Sequence, residues 1–221
     1  MFDYQKVKLV WITPDAEKVI SYCARVSNPA NRENYDTAPK LLAYLVKNKH
    51  WSPFEMASMC LEIETTRDIG RQLLRHRSFS FQEFSQRYAA VDPNMFLIQG
   101  REGRLQDNKN RQNSLDADEN ADIRFRNMCM HVLDQAVVTY EQALKEGYAK
   151  EQARAILPEG LTMSRMYMSG TIRSWIHYCQ VREDFGVTQK EHVDIAAKCR
   201  QILVEQLPSI SELFNNKNNQ E

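Results

Sequence analysis

Neither sign of charge is in excess: Lys plus Arg and Asp plus Glu each total 29 in 221 residues. No global field therefore draws the chain to nucleic acid or to an anionic membrane, and any anion site must be a local concentration of positive charge. Long apolar runs are missing as well, and nothing approaches the roughly 20 consecutive apolar residues of a membrane span. Met1 to Trp11 lacks the uninterrupted apolar core and small-residue cleavage site of a secretory signal. The five cysteines, Cys23, Cys60, Cys129, Cys179 and Cys199, are odd in number, widely spaced and without a C-x-x-C pair. That pattern argues against a disulfide framework and a zinc knuckle, and fits buried thiols in a reducing cytoplasm. There is no G-x-G-x-x-G, so a Rossmann-type dinucleotide site is not expected. No internal repeat is visible.

What is present is an ordinary globular composition, 43% hydrophobic and 26% charged, long enough for a single domain spanning residues 1–221. Lys6 to Trp11 alternates, with Val7, Leu9 and Trp11 on one side, and reads as a strand. A helical pattern with Val19, Ile20 and Cys23 on one face is broken by Asn28-Pro29, and a second covers Thr37 to Asn48. Met56 to Thr65 alternates as a half-buried strand. Asp68 to Arg75 reads as a short helix, and Phe79 to Ala89 as an extended, aromatic-rich segment. Residues 100–120 are the most polar stretch and read as a surface loop, either a solvated linker or a segment ordered by a partner. Helices are expected over Ala121 to Lys145, up to Leu157, over Met163 to Val181 and over Thr188 to Leu207, followed by a frayed polar tail at 215–221. Strands early and helices late suggest an α+β fold with an antiparallel or mixed sheet flanked by helices and a helix-rich C-terminal half.

Positive charge concentrates at Arg67, Arg71, Arg75 and Arg77, with His76 among them. Guanidiniums this close repel one another, so the fold must supply anions. The nearby carboxylates Glu62, Glu64, Asp68 and Glu83 could do so, and so could a phosphate-bearing ligand, whose oxygens match the guanidinium fork. Spacing alone leaves both open. The following residues read RHRSFSFQEFSQRY from Arg75 to Tyr88. Gln72 and Arg75, three apart, can face one pocket, and an extended chain would set Glu83, Ser85 and Arg87 on one side. An amide there could read a uracil-type base, arginine could hold phosphate, and the hydroxyl could hydrogen-bond either.

This segment, RHR followed by seven residues and Ser85, resembles the signature of the flavin-dependent thymidylate synthases. His50-Trp51-Ser52-Pro53-Phe54-Glu55, then Arg154 with Leu157-Pro158, then Arg173-Ser174-Trp175 and His177 through Arg182, resemble that family's other landmarks in order, so the resemblance spans roughly residues 50 to 182. It implies an enzyme that methylates dUMP to dTMP with FAD as redox centre, methylenetetrahydrofolate as carbon donor and NADPH as reductant, working as a homotetramer with active sites between subunits. It implies FAD contacts at His50, Ser52, Arg75, His76, Arg77, Glu83, Arg173 and His177. It implies dUMP contacts at Gln72, Arg75, Glu83, Ser85, Gln86, Arg87, Arg154 and Arg182, and no metal. Arg182 would reach the uracil ring, and Ser85 would position and activate rather than act as an obligatory covalent nucleophile. Three departures stand out: Ser52 where Thr is usual, Gln82 where Asn is often found, and Met56 where some members carry a second His. None removes a charge from the site.

The chemistry is reasonable on its own terms. Carbon five of uracil is a poor nucleophile until a guanidinium such as Arg182 or Arg154 stabilises enolate-like charge on a ring oxygen. Arg173 and His177 share a helix face, whereas Arg182, nine residues beyond Arg173, lies about half a turn round. Either the helix ends before Arg182, or the two faces serve different ligands or subunits. Read from the residues without the resemblance, His131 and His192 are core or surface histidines and Met163, Met166 and Met168 are packing. A nucleic-acid module stacking bases on Phe79, Phe81 and Phe84 is the rival reading, and neutral total charge weighs against it. A flavoprotein methylating uridine in RNA is a second rival.

Overall fold

The computed structural model describes residues 4–215, so most of the polar tail at 215–221 lies outside the described residues. In chain order the elements are β1 (Lys6–Ile12), α1 (Ala16–Ala24), α2 (Ala38–Lys47), β2 (Ser58–Thr66), α3 (Arg67–Leu73) and β3 (Ser80–Glu83). The hairpin β4 (Arg104–Gln106) and β5 (Ser114–Asp116) follows, then α4 (Glu119–Lys145), α5 (Lys150–Ala153), β6 (Met163–Thr171), α6 (Ile172–Arg182), α7 (Lys190–Gln206) and α8 (Glu212–Asn215). The fold is α+β. Its main sheet has the order β1-β2-β6-β3 with every neighbour antiparallel.

Alternation along β2 divides this sheet into two faces. Met59, Leu61 and Ile63 are fully buried and pair with Gly170, Met168 and Met166 of β6, so one face belongs to the core. Between them, Glu62 and Glu64 face the other way. Glu64 bonds Arg165 at 2.9 Å from Nε and meets Lys6 at 3.5 Å, and Glu62 accepts from Tyr167 Oη at 2.9 Å. Helices α1, α2, α6 and α7 cover the apolar face, and Trp175 of α6 donates its indole N–H to the Met59 carbonyl at 2.9 Å. A second apolar cluster lies under α4, where Leu133 and Tyr140 pack on Val91, Phe96, Leu97, Leu157 and Leu161.

Three local expectations fail, the first because distant chain decides. Met163 to Thr171 is a strand, not the start of a helix. Ser164, Met166 and Met168 are buried while Arg165 and Tyr167 are exposed. Hydrogen-bond partners on both sides, β2 and β3, draw the segment into the sheet. The helix begins only at Ile172, capped by Thr171 Oγ1, which accepts from the Ser174 N–H at 3.2 Å. The extended stretch expected at 79–89 stops early: β3 ends at Glu83, and the chain turns where the Ser85 carbonyl accepts from Tyr88 N–H and Ala89 N–H. In β1, a bulge between Leu9 and Trp11 breaks the register, and both side chains are exposed on this edge strand.

Gly170 shows how closely the sheet meets the aromatic layer below it. A Cβ there would lie 2.5 Å from Phe79 Cδ1, and the Phe79 ring sits 4.8 Å from that of Trp175. Gly170→Ala is therefore expected to destabilise the fold by about 1–3 kcal/mol through overpacking. A urea unfolding midpoint equal to the parent's would show that Phe79 does not press on this strand.

Candidate active site

Two arginines of the clustered run are neutralised by the chain itself, and two are not. Arg67 meets Glu83 at 3.4 Å, and Arg71 forms a bidentate pair with Glu159. Arg75 and Arg77 are exposed, and among the described residues neither has a carboxylate at ion-pair distance. Of the carboxylates nearby in sequence, Glu62 and Glu64 are engaged on the outer sheet face and Asp68 bonds Arg101 at 2.5 Å.

Arg75 and Arg77 flank His76, and His76 is where the later helix returns. Arg182, the last residue of α6, donates from Nε to His76 Nε2 at 2.9 Å. Because Nε2 accepts, the imidazole is neutral and its proton sits on Nδ1. The His76 pKa is lowered to about 4, first by burial and then by Arg182, His177 and Arg75 in that order. Arg182 also lacks a carboxylate among the described residues. Its position at a helix C-terminus, where backbone carbonyls are unpaired, favours its charge.

Beneath this cluster His192 of α7 is fully buried, 6.0 Å ring to ring from His76. Its pKa is pushed down to about 3, first by burial and then by Arg182 and His76. His192 Nδ1 lies 3.2 Å from the Gln72 carbonyl oxygen, and Gln72 Nε2 donates to Gln189 Oε1 at 2.7 Å. Gln72, Arg75, His76, His177 and Arg182 thus converge, joined by His192 and Gln189.

The two depressed histidines make stability acid-sensitive. An unfolded histidine takes its proton near pH 6.5, while the folded rings stay neutral. Their stabilising contribution is complete above that pH and is lost as pH falls from about 6.5 towards 4. The urea midpoint is expected to drop between pH 7 and 5, before most carboxylates titrate. A flat profile over that window would contradict the geometry.

The remaining expected residues fall into separate groups. Arg173 donates at 2.5 Å to Glu55 within the 3-10 turn Ser52–Met56, and exposed His50 precedes that turn. Arg87 bonds the Glu151 carboxylate at 3.3 Å and Arg154 bonds the Glu151 carbonyl at the same distance. Glu83 points inward, accepting from Ser164 Oγ at 2.7 Å. Ser85 opens the turn, and Gln86 is buried with its Nε2 unpartnered among the described residues. No hydrogen bond or ion pair among the described residues joins Arg87 or Arg154 to the His76–Arg182 group. A groove of about 920 Å³ along the outer sheet face takes in Gln82, Glu83 and Phe84 but none of His76, Arg77 or Arg182. Arg75 and Arg77 are exposed, whereas His76 and Arg182 are half-buried.

Sequence reasoning left His192 as a core or surface histidine without its link to Gln72, and did not single out Gln189, Glu151 or Arg101. For His192 a signal existed. It shares the buried stripe of α7 with Val193, Ala196, Cys199 and Leu203, and a polar side chain in such a stripe needs a partner.

A family model described as thymidylate synthase complementing protein, Thy1, matches residues 8–209. The chain belongs to this family. Among Thy1 relatives, a probable flavin-dependent thymidylate synthase of Paramecium bursaria Chlorella virus 1 is 50% identical over 201 residues, covering 90% of this chain and 91% of that protein. The flavin-dependent thymidylate synthase of Synechocystis is 50% identical over 196 residues, 88% and 87% of the two chains. A UMP/dUMP methylase PolB from Streptomyces cacaoi, solved with 5-Br UMP, shares the fold with a TM-score of 0.79 at 24% identity, covering 97% and 95% of the two chains. No helix of the described residues is long and apolar enough to cross a membrane. Among those residues no group of three or more His, Cys, Asp or Glu could hold a metal ion.

Proposed function

We propose that this Thy1 chain is an FAD-dependent thymidylate synthase of the cytoplasm, converting dUMP to dTMP with methylenetetrahydrofolate as carbon donor and NADPH as reductant. The observation that carries the reading is the open group of Arg75, Arg77 and Arg182 around neutral His76, uncompensated by carboxylates among the described residues. Such a group suits phosphorylated ligands, and relatives half identical to this chain are named for the reaction. Five free thiols accord with a reducing compartment.

Bound flavin would supply hydride, which no side chain can provide. The chain's own residues orient and polarise. Arg75, Arg77, His76 and His177 hold the flavin from one cluster, and His50, Ser52 and Arg173 from the 3-10 turn, with Glu83 between strand and helix. Gln72, Arg75, Glu83, Ser85, Gln86, Arg87, Arg154 and Arg182 hold the nucleotide. Among the described residues Arg182 bonds His76 through Nε alone, which leaves its two terminal nitrogens to stabilise charge on a ring oxygen. Since Arg87 and Arg154 stand apart from Arg182 in one chain, a homotetramer would assemble each site from neighbouring subunits.

The balance is simple: the new methyl is the transferred methylene plus a hydride, and the proton at carbon five leaves the ring. Purified protein is expected to be yellow and to release tritium from dUMP labelled at carbon five. A colourless chain that stays inactive after FAD is added would overturn the reading. Release from labelled oligonucleotide but not from dUMP would move it to a nucleic-acid methylase.

A further inference from the structure

His192 is buried, on a different element from the arginine run, and no part of the reaction described above uses it. Its Nδ1 lies 3.2 Å from Gln72 Oε1, while Gln72 Nε2 reaches outward to Gln189 Oε1 at 2.7 Å. Gln189 is exposed and Gln72 half-buried, so the amide has an inner and an outer side. We propose that His192 is a positioning residue: it holds the Gln72 amide with its oxygen inward and its NH2 outward, so that Gln72 meets an acceptor oxygen of the nucleotide and not a ring N–H. The proposal rests on the nucleotide-binding reading above and deepens it.

The orientation follows from what surrounds the other ring nitrogen. His192 Nε2 is buried and has no hydrogen-bond partner among the described residues. With the proton on Nδ1, Nδ1 donates to Gln72 and Nε2 is a bare lone pair. With the proton on Nε2, the amide would have to reverse, and a buried N–H would be left unpaired. Orphaned buried N–H groups are rarer than under-satisfied acceptors. The positive charge of Arg182 acts on both His76 and His192 and opposes a second proton on either ring. The ring is held neutral by burial, so it cannot donate from both nitrogens.

The outer side of the Gln72 amide then presents a donor. The Arg75 and Arg182 guanidiniums, whose charges act on His76, are donors as well. Gln189 Oε1 occupies the position on Gln72 that a ligand oxygen would take. A uracil carbonyl or a phosphate oxygen fits, and both are acceptors. A side chain left to rotate would present its carbonyl outward part of the time and weaken either contact.

The test titrates flavin-loaded protein with dUMP and follows the flavin absorbance. His192→Leu is expected to raise the Kd for dUMP roughly tenfold, the effect of losing one orienting hydrogen bond to the ligand. His192→Asn, which keeps an N–H donor near the Nδ1 position, is expected to recover to within about threefold of the parent. Flavin occupancy should match the parent's in both. Repeating the comparison with deoxyuridine separates the sources: a leucine effect that persists assigns the oxygen to the base, and one that disappears assigns it to the phosphate. Nitrogen-15 NMR of the unsubstituted protein's histidines, with His192 identified from the asparagine variant, reads the tautomer directly, so a misfolded leucine variant does not block the test. A proton on Nδ1 supports the arrangement. A proton on Nε2, or an unchanged Kd in His192→Leu, overturns it while leaving the proposed function standing. An unsubstituted protein that does not bind dUMP overturns both.

Discussion

Replacing Arg182 with alanine is expected to lower turnover of dUMP by roughly 10²–10³-fold, the range seen when one preorganised donor is removed from developing negative charge. Arg182 has no carboxylate among the described residues to neutralise it. Its Nε is fixed by His76 Nε2 at 2.9 Å, which aims the rest of the guanidinium. The loss should therefore fall mainly on kcat, because the charge it opposes develops only as the ring is activated. Arg182→Lys keeps the charge but not the fork, since one ammonium cannot hold His76 and a ring oxygen in the same geometry. It is expected to remain about tenfold below the parent, roughly one charge-assisted hydrogen bond. The alanine variant should also raise the pKa of both His76 and His192, since Arg182 lowers each. Turnover within about threefold of the parent in Arg182→Ala would remove this residue from the chemistry.

The largest effect on stability is expected at Arg101, far from the arginine run in sequence. Its Nη1 donates to Asp68 at 2.5 Å and its Nε to Glu191 at 2.9 Å, with only 13% of the side chain exposed. Asp68 lies in the first turn of α3 and Glu191 in the first turn of α7. One guanidinium therefore ties together the two helices from which Gln72 and His192 meet. Burial works against its charge, but Glu191 and Asp68 outweigh burial and hold its pKa above the ordinary arginine value. Arg101→Met fills similar space yet leaves two carboxylates without their cation, and should destabilise the fold by about 3–5 kcal/mol in urea unfolding. Adding Asp68→Asn and Glu191→Gln should recover part of that loss, because an uncompensated charge costs more than a neutral amide. A loss below about 1 kcal/mol in the single variant would mean that the triad behaves as a solvated surface pair.

Residues 100–120 show how far a local pattern can be read. Their polarity marks surface chain, and surface chain they are, but part of the stretch folds as the β4–β5 hairpin. Arg104 pairs with Asp116 across it and donates from Nε to Ser114 Oγ at 2.7 Å. Lys190 Nζ then donates to Glu102 at 2.8 Å, and Asn110 donates to the Gly186 carbonyl at 2.7 Å. Gly186 lies between α6 and α7 and Lys190 opens α7, so these partners are 76 and 88 residues away. Nothing within the stretch reveals these partners, so its sequence alone fits a solvated linker equally well.

By itself the sequence determined what depends on neighbours a few residues apart. Alternation places β2 half-buried, helical spacing gives α2, α4 and α7, and the run from Arg75 to Tyr88 with its ordered landmarks marks the family. Tertiary structure decided every question of partnership. It drew Met163–Thr171 into the sheet, and it matched Arg67 with Glu83 and Arg71 with Glu159 while leaving Arg75 and Arg77 open. It also put Arg182 against His76 across 106 residues and His192 against Gln72 across 120. Local propensity acts through the backbone over a turn or two, whereas charge pairing and tautomer depend on which surfaces the packed core brings within hydrogen-bond reach.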